Sequence, residues 1–426
     1  MSTIFAPSSG LPPAAIAVIR ISGPDAFAAA RALAGDLPVP REARLRTLRD
    51  PVSGDHLDSA LMLVFPAPRT ATGEDLVELH VHGGRAVIAA IETVLARQPG
   101  LRRAEPGEFT RRALSNGRID LAEAEGLGDL LSAETELQRR AALAMADGTL
   151  SRQIANWRAV LLGLAARLEA SLDFSDEADV DAVLLDGIRS NAGAVASEIN
   201  AALSAPAVDR LREGIRVVLA GPPNSGKSTL FNALVRREAA IVSPIAGTTR
   251  DRIEVPVSRA GIPFVLTDTA GLRESAGDAI EAIGIDRASE AIAGADLVLW
   301  LGDEAPPEDR MLWLHARADM AGRAGKPVGA LLAVSAETGA GVEQLWELLV
   351  SRSATLIPGA SDMALNQRQR AHCQEALEAL VDLGAPDELV VADALRRANV
   401  ALARITGDVG IEAMLDALFS RFCIGK

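Results

Sequence analysis

The feature that most constrains how this chain can fold is "GPPNSGKSTL" at residues 221–230. It matches G-x-x-x-x-G-K-[ST] at Gly221, Gly226, Lys227 and Ser228, follows the apolar run "IRVVLA" and opens the helix-like "KSTLFNALV". A glycine-rich turn between strand and helix aims backbone N–H groups at phosphate oxygens; the lysine neutralises β/γ charge and the hydroxyl can ligate Mg²⁺. A chance glycine-rich turn is the bland alternative, and the strand and helix on either side argue against it. The loop also sits far along the chain: 220 residues precede Gly221.

Downstream, apolar runs alternate with helical stretches from about 214 to 357: "IRVVLAG", "PFVLTDTAG", "DLVLWLG", "VGALLAVSA". That alternation predicts a parallel, doubly wound sheet. "AGTTRD" at 246–251 sets Thr248 and Thr249 about 20 residues beyond the loop, where a switch segment would close over a γ-phosphate. "DTAG" at 268–271 ends a strand, bringing Asp268 toward the metal and Gly271 toward the γ-phosphate, and "SAETGAG" at 335–341 matches a loop that backs guanine. In this order the motifs resemble those of translation-related GTPases, whose base-reading motif is N-K-x-D. Here "HARAD" stands instead, with Ala316, Arg317 and Ala318 before Asp319. Asp319 could accept from guanine N1–H and N2–H₂; the other reading is a plain surface aspartate. Loss of the Asn removes a tether between base loop and phosphate loop, and Arg317 takes the position from which Lys covers the base. Leu272 follows "DTAG", where Ras-like proteins often carry a water-orienting Gln, and an apolar side chain cannot do that work. Glu274, Asp278 and Glu281 are the acidic candidates in the segment that follows.

The remainder of the 426 residues allows two or three domains, with 49% hydrophobic and 23% charged residues. Residues 1–118 read as mixed α/β, with strand-like "AAIAVIRI", "SALMLVF" and "LVELHVHGG" and helix-like "DAFAAARALAG" and "AVIAAIETVLARQ". Residues 119–212 and 359–426 read as helical, so the nucleotide domain, 213–358, is inserted between two helical parts. Aromatics at 3%, no Tyr and many Ala favour helices packed through small and aliphatic side chains. The acidic stretch at 173–182 reads as a solvated loop or a cation site, and no Gly stands sixth as in an EF-hand. A net charge of −14 excludes a global attraction to nucleic acid or anionic lipid, leaving only a local basic patch for RNA. Cys373 and Cys423 make no disulfide framework, the N-terminus does not read as a signal peptide and no apolar run is long enough to span a bilayer. The expectation is a soluble, cytoplasmic protein.

"RISG" (20–23), "TGEDLVELHVHGG" (72–84), "RRAEPGEFTRRALSNGRIDLAEAEGLGDL" (102–130), "GTTRD", "DTAGLRE" and the terminal "FCIGK" together resemble the tRNA-modification GTPase family MnmE, also called TrmE, over nearly the whole chain. The resemblance implies a multidomain α/β plus α protein. It has an N-terminal α/β folate-binding and dimerisation domain, a helical-bundle domain in two parts, and an inserted Ras-like doubly wound α/β G domain. It implies GTP contacts at Asn224, Ser225, Gly226, Lys227, Ser228 and Thr229; at Ser243, Pro244, Ile245, Ala246, Gly247, Thr248 and Thr249; at Asp268, Thr269, Ala270 and Gly271; and at Asp319, Ser335, Ala336 and Glu337. Mg²⁺ falls to Ser228 and Thr249, and K⁺ to Asn224, Ser243, Ile245 and Thr248, two of these through backbone carbonyls. A cation beside the β/γ-phosphates supplies the charge that an arginine finger supplies elsewhere. Lys227 and Glu281 are the implied catalytic groups of hydrolysis, Glu281 orienting the attacking water through a second water, and Cys423 is a possible participant in the modification.

Folate contacts are implied at Arg20, Glu78, Arg118 and Lys426, Arg118 standing where the family often has Lys; an ordinary surface ion pair is the other reading. The folate is 5-formyltetrahydrofolate or a related tetrahydrofolate. The implied activity is a K⁺-activated, dimerisation-dependent GTPase. With an FAD-dependent MnmG-like partner in a heterotetramer, it takes part in C5 modification of the wobble uridine of certain tRNAs, away from any membrane. An Era-type regulatory GTPase would need a basic RNA-binding domain after the G domain, and none is legible. A degenerate member with weakened guanine specificity would bind ATP as well as GTP. Cys423, fourth from the end, is spaced as in a prenylation box, but Gly425 and Lys426 fit that poorly, and a buried structural cysteine remains open.

Overall fold

The structure is a computed structural model that describes residues 2–173, 182–237, 254–269, 288–323, 325–359, 363–409, 418–419, 422 and 425. The chain divides into two compact units: Met1–Gly128 with Met145–Ala155 and Ala403–Lys426, and Asp129–Ala144 with Asn156–Leu402.

In the first unit β1 (Thr3–Pro7), β2 (Ile16–Ser22), β3 (Arg44–Arg49), β4 (His56–Phe65), β5 (Leu76–His82) and β6 (Leu101–Arg103) form one sheet in the order β3-β4-β5-β2-β1-β6. All pairings are antiparallel except β1 with β6. The period-two pattern explains its layers. Ala17, Ile19 and Ile21 of β2 and Val77, Leu79 and Val81 of β5 are buried with Ala29 and Leu33 of α1 (Ala26–Ala34) and Ile91 and Leu95 of α2 (Arg85–Ala96). The alternate residues Arg20, Glu78 and His80 project from the other face. α3 (Glu108–Ser115) covers part of that face through Phe109, which packs with Ile4 and Ala6. Strands β1, β3 and β6 escaped the sequence reading. β6 is three residues long and β3 reads "RLRTLR", in which arginine and threonine hide the alternation.

Among the described residues the further α-helices are α4 (Leu121–Ser132), α5 (Glu136–Ala146), α6 (Thr149–Asp173), α7 (Ala182–Ser204), α8 (Asp209–Glu213), α9 (Lys227–Arg237), α10 (Val342–Ser353), α11 (Gln367–Leu380) and α12 (Glu388–Thr406). α6 buries Ile154, Trp157, Leu161, Leu164 and Leu168, a three-or-four spacing that keeps one stripe inward. Trp157 Nε1 donates to Glu198 of α7 at 2.7 Å, so its polar edge is satisfied. α11 starts on a capping box: the Asn366 side chain accepts from Gln369 N, and the Gln369 side chain accepts from Asn366 N. Its inward stripe is small, with Cys373, Ala376 and Ala379 buried, as the aromatic-poor composition leads one to expect. Among the described residues, no helix is long and apolar enough to cross a membrane.

The second sheet holds β7 (Ile215–Ala220), β8 (Glu254–Arg259), β9 (Ile262–Asp268), β10 (Leu297–Trp300), β11 (Leu312–Ala316) and β12 (Leu332–Val334) in the order β12-β11-β10-β7-β9-β8. It is parallel except for β8, which pairs antiparallel with β9 through a turn in which Ala260 and Gly261 take φ of 51° and 79°. Both positive values suit a tight type I′-like hairpin. This edge strand is the one departure from the expected parallel sheet. β7 is central and all but Arg216 is buried, the signature of a strand covered on both faces. Phe264 and Trp346 meet edge-on in the core, ring centroids 5.4 Å apart and both fully buried.

Phe264→Ala should therefore destabilise this unit by about 3–5 kcal/mol in chemical denaturation, from lost burial plus the cavity left beside Trp346. Burial pushes the Cys373 thiol up to about 12, which keeps it protonated. In a Cys423→Ser background, a thiol reagent at pH 8 should leave Cys373 unlabelled until the protein is unfolded, read by intact mass.

Candidate nucleotide-binding site

Strand order reverses at β7, with β9 on one side and β10 on the other. In an open α/β sheet that reversal leaves a crevice beyond the carboxyl end of the strand. Residues 221–226 occupy it, between β7 and the first turn of α9. Gly221 and Gly226 take φ of 143° and 97°, and Asn224 is left-handed at 58°. A Cβ at Gly221 would lie 3.2 Å from Ser225 Oγ and 3.3 Å from Leu301 backbone atoms, so the torsion favours glycine and the space beside it is tight. Lys227, at the start of α9, is buried and folds back, its Nζ donating to Gly221 O at 3.0 Å and Pro222 O at 2.9 Å. Ser225 is buried and its Oγ has no hydrogen-bond partner among the described residues. Asn224, Lys227, Ser228, Thr269 and Arg317 line one cavity of about 470 Å³. Thr269 Oγ1 donates to Leu219 O at 2.8 Å, pinning the end of β9, and with it Asp268, to the centre of the sheet.

A second cavity of about 210 Å³ adjoins it, sharing Gly226, Thr229 and Arg317. Its floor is apolar at Ala316, Val334 and Leu230, and its polar groups include Asp319 and Glu337. The parallel register of β11 and β12, Ala316 opposite Val334, brings the "ARAD" and "SAET" loops together, and Ala318 N donates to Val334 O at 3.2 Å. Ser335 is buried and builds its own turn: Ser335 N donates to Ala340 O, and Ser335 Oγ accepts from Thr338 N. Its side chain thus braces the loop, whereas Ala336 and Glu337 face the cavity. The arrangement offers a carboxylate at the mouth of a flat apolar slot, with basic groups and a glycine loop one step away. That is a receptor for an aromatic base carrying N–H donors and a linked polyanion.

On the other face of the first unit's sheet, Arg20 and Glu78 are directly opposite in β2 and β5 and form an ion pair at 2.8 Å. Arg20 also lies over the Phe109 ring, 5.8 Å from its centroid. His80 Nε2 lies 3.5 Å from Glu78 Oε2 but is buried without a hydrogen bond among the described residues. Ser22, next along β2, joins its hydroxyl to Thr72 Oγ1 at 2.7 Å and donates to Glu74 at 2.8 Å. Arg118 Nε donates to Thr70 O at 3.2 Å on the same loop. Arg20 and Glu78 are thus brought together, with Arg118 anchored to the neighbouring 70–74 loop. Asp58, on β4, accepts from His82 N and pairs with His82 Nδ1 at 2.7 Å; it closes a strand end.

Ser243, Pro244, Ile245, Ala246, Gly247, Thr248, Thr249, Ala270, Gly271, Leu272, Glu274, Asp278, Glu281, Cys423 and Lys426 lie outside the described residues, as does most of the acidic 173–182 stretch. Among the described residues, no group of three or more His, Cys, Asp or Glu side chains converges as a metal would require. Two residues near the base cavity had no motif to announce them. Asp303, beyond β10, accepts from Arg323 and lies 3.9 Å from Arg317, while Arg323 Nε donates to Ala316 O at 3.1 Å. The hydrogen bond from Arg323 holds the Asp303 carboxyl below its usual range. For Asp303 the one sequence signal is position, a charge three residues past the carboxyl end of β10.

Comparison with known proteins bears on the whole chain. The family model "GTP-binding protein TrmE N-terminus" matches residues 3–118 and "MnmE helical domain" matches 121–423. The protein of Erythrobacter litoralis named tRNA modification GTPase MnmE is 56% identical, covering 100% of both chains. That of Novosphingobium aromaticivorans is 54% identical over 100% of this chain and 99% of its own, and that of Zymomonas mobilis 52% over 100% of both. The crystallised G domain of the T. maritima FeoB iron transporter aligns with 33% of this chain at 25% identity and a TM-score of 0.24, a likeness from which nothing follows. Full-length identity above half, together with a phosphate-binding loop at the sheet's switch point, leads to one conclusion: this chain belongs to the MnmE (TrmE) family of tRNA modification GTPases.

Proposed function

We propose that this chain binds and hydrolyses GTP at the paired cavities, and that the cycle serves modification of the wobble uridine of tRNA. The observation that carries the reading is the junction itself, a glycine loop with Lys227 on one side of Gly226 and a carboxylate-rimmed apolar slot on the other. Backbone N–H groups of residues 224–229 would wrap the phosphates. Lys227 would exchange two neutral carbonyls for anionic oxygens, and charge-assisted bonds of that kind are roughly twice as strong. Asp319 would accept from guanine N1–H and N2–H₂, where adenine offers no such pair of donors. Ala336 and Glu337 would flank the base while Ser335 braces their loop. Asp268 and Thr269, pinned to the sheet by the bond from Thr269 to Leu219 O, would sit at the γ-phosphate end. Leu272 cannot orient water, so that role goes to Glu281 in this reading.

Mg²⁺ suits Ser228, whose side chain lines the phosphate cavity, with Thr249 as second hydroxyl; phosphate oxygens would complete its shell. K⁺ suits the amide oxygen of Asn224 on the same cavity, with Ser243, Ile245 and Thr248, and it supplies positive charge beside the β/γ bridge. A tetrahydrofolate, 5-formyltetrahydrofolate or a relative, suits the Arg20–Glu78 pair, Arg118 and Lys426. His80 Nε2, buried and without a hydrogen bond among the described residues though 3.5 Å from Glu78 Oε2, is a polar atom such a ligand would satisfy. With a net charge of −14, tRNA contact falls to a local basic surface or to the FAD-dependent MnmG-like partner. The working form in this reading is a homodimer joined to that partner, with domain segments 1–118, 119–212, 213–358 and 359–426. Cys423 is the candidate thiol for the modification step, since Cys373 is held protonated by burial.

Two measurements test this. GTP turnover in KCl should exceed that in NaCl at equal ionic strength by about tenfold or more, and Asn224→Ala should abolish the difference; equal rates in both salts would remove the cation from the mechanism. Asp319→Asn should weaken GTP binding about a hundredfold and favour xanthosine triphosphate, whose C2 carbonyl takes a hydrogen bond from the new amide. Unchanged GTP affinity would make Asp319 a plain surface residue.

A further inference from the structure

Charge is unevenly divided along this acidic chain. Residues 1–118 hold 14 Arg, no Lys and 12 Asp plus Glu, a balance of +2, while the other 308 residues carry −16. Within that first part the arginines concentrate in one place. "REARLRTLR" at 41–49 has four in nine residues against a single Glu. The stretch runs into β3, the edge strand of the first sheet, so its outer side has no strand beside it among the described residues. Leu48 is buried in the core and anchors the strand, whereas Arg41, Arg44 and Arg49 are exposed and Arg46 is half-buried.

What the guanidiniums touch sets this edge apart. Arg46 Nε donates to Asp36 O at 2.9 Å and its Nη1 to Leu45 O at 3.2 Å. Arg49 Nη1 donates to Gly54 O at 3.1 Å. Arg41 donates to Arg69 O, which brings the exposed Arg69 alongside, and lies over the Phe65 ring, 5.5 Å from its centroid. These three arginines are held by neutral carbonyls and a ring, and none has a carboxylate in ion-pair contact among the described residues. Arg44 has one, Glu42 at 3.1 Å, but both side chains are more than half exposed and water screens the pair. The nearby carboxylates are engaged elsewhere: Asp50 accepts from Val52 N at 2.8 Å and lies 3.6 Å from Arg97, and Asp55 accepts from Ser53 Oγ at 2.7 Å. On the helices arginines behave differently. Arg139 and Arg140 both bind Glu136 at 2.7 Å, and Arg396 and Arg397 both bind Asp393. Charge on an edge strand also discourages the addition of a foreign strand. Either sign would serve there, so that role gives no reason for four arginines left without buried counter-charges.

We propose that this edge, Arg41 to Arg49 with Arg69, is the surface of this chain that docks the sugar–phosphate backbone of tRNA. A guanidinium held by carbonyls keeps its charge uncompensated, and its remaining N–H groups fit phosphate oxygens in a fork. Arg44 and Arg46 occupy alternate positions, about 6.8 Å apart along the strand, so the charges form a row rather than a point. Contacts of this kind read no bases; they place and orient an RNA on a protein whose other parts repel it. The proposal deepens the tRNA reading above and rests on it.

The test is binding of an unmodified tRNA transcript to the full chain, read by fluorescence anisotropy between about 50 and 200 mM KCl, with a thermal melt for every variant. Arg44→Gln/Arg49→Gln should weaken binding about tenfold at the lowest salt and flatten the slope of log affinity against log salt by about 1.5, the share of two phosphate contacts. Arg44→Lys/Arg49→Lys, which keeps both charges, should retain most of the slope. Arg139→Gln/Arg140→Gln removes the same charge from carboxylate-paired sites and should leave affinity and slope unchanged. Unchanged binding in Arg44→Gln/Arg49→Gln, losses of equal size in Arg139→Gln/Arg140→Gln, or no salt-dependent binding by the wild-type chain overturns the patch. Failure of the underlying reading looks different. Wobble-uridine modification that persists in cells lacking this chain removes the tRNA role itself, whereas modification lost there, with Arg44→Gln/Arg49→Gln still binding normally, removes the patch alone.

Discussion

The burial of β7 on both faces is the constraint on which the nucleotide site depends. A strand flanked by parallel β9 and β10 and covered by helices has its backbone polar groups consumed by its neighbours. Only where it ends can N–H groups turn outward, and strand order reverses at that end, so the crevice opens there. Everything else is arranged around this point. Thr269 ties β9 to Leu219, Leu301 N ties the start of the next loop to Ala220 O at 2.9 Å, and the base loops are aligned by the register of β11 and β12. The loop's own torsions then favour glycine at Gly221 and Gly226, whose φ values are 143° and 97°, and Leu301 and Arg317 lie close beside them.

The two sites handle charge differently. In the phosphate loop, Lys227 Nζ donates to the backbone carbonyls of Gly221 and Pro222, a donation that the oxygens of a bound polyanion would take over in the proposed scheme. In the first unit, Arg20 is already paired with Glu78 on a sheet face, and both charges are about one-fifth exposed. A ligand there meets a neutral but strongly dipolar surface, with the Phe109 ring below and the His80 ring nitrogen beside it. Such a surface suits a planar heterocycle with donors and acceptors on one edge. In the proposed scheme, the anion-binding task and the heterocycle-binding task thus fall to sites of different electrostatic character in one acidic chain.

Much of this was legible from residues. The helices of 119–211 announced themselves by Ile154, Trp157, Leu161 and Leu168 at helical spacing, and β7, β9, β10 and β12 by apolar runs bounded by glycine or turn residues. The phosphate loop was legible because its chemistry is local: consecutive residues make the cradle. β1, β3, β6 and β8 were not, since they are short or charged, or sit at an edge, and their strand character comes from the partner across the ladder. Asp303 and Arg323 were invisible for the same reason. Neither belongs to a motif: Arg323 folds back seven residues to Ala316 O, and Asp303 meets Arg323 and Arg317 because β10 and β11 are neighbours.

Sequence by itself determined the family, the order of the α/β and helical parts, and the identity of the loop that faces phosphate, because each is written in contiguous residues or in periodicity. It also set four arginines within nine residues at 41–49. Tertiary structure alone decided that they line a sheet edge, where Arg41, Arg46 and Arg49 meet backbone carbonyls rather than carboxylates. That outcome depends on distances across the sheet, which no spacing along the chain encodes.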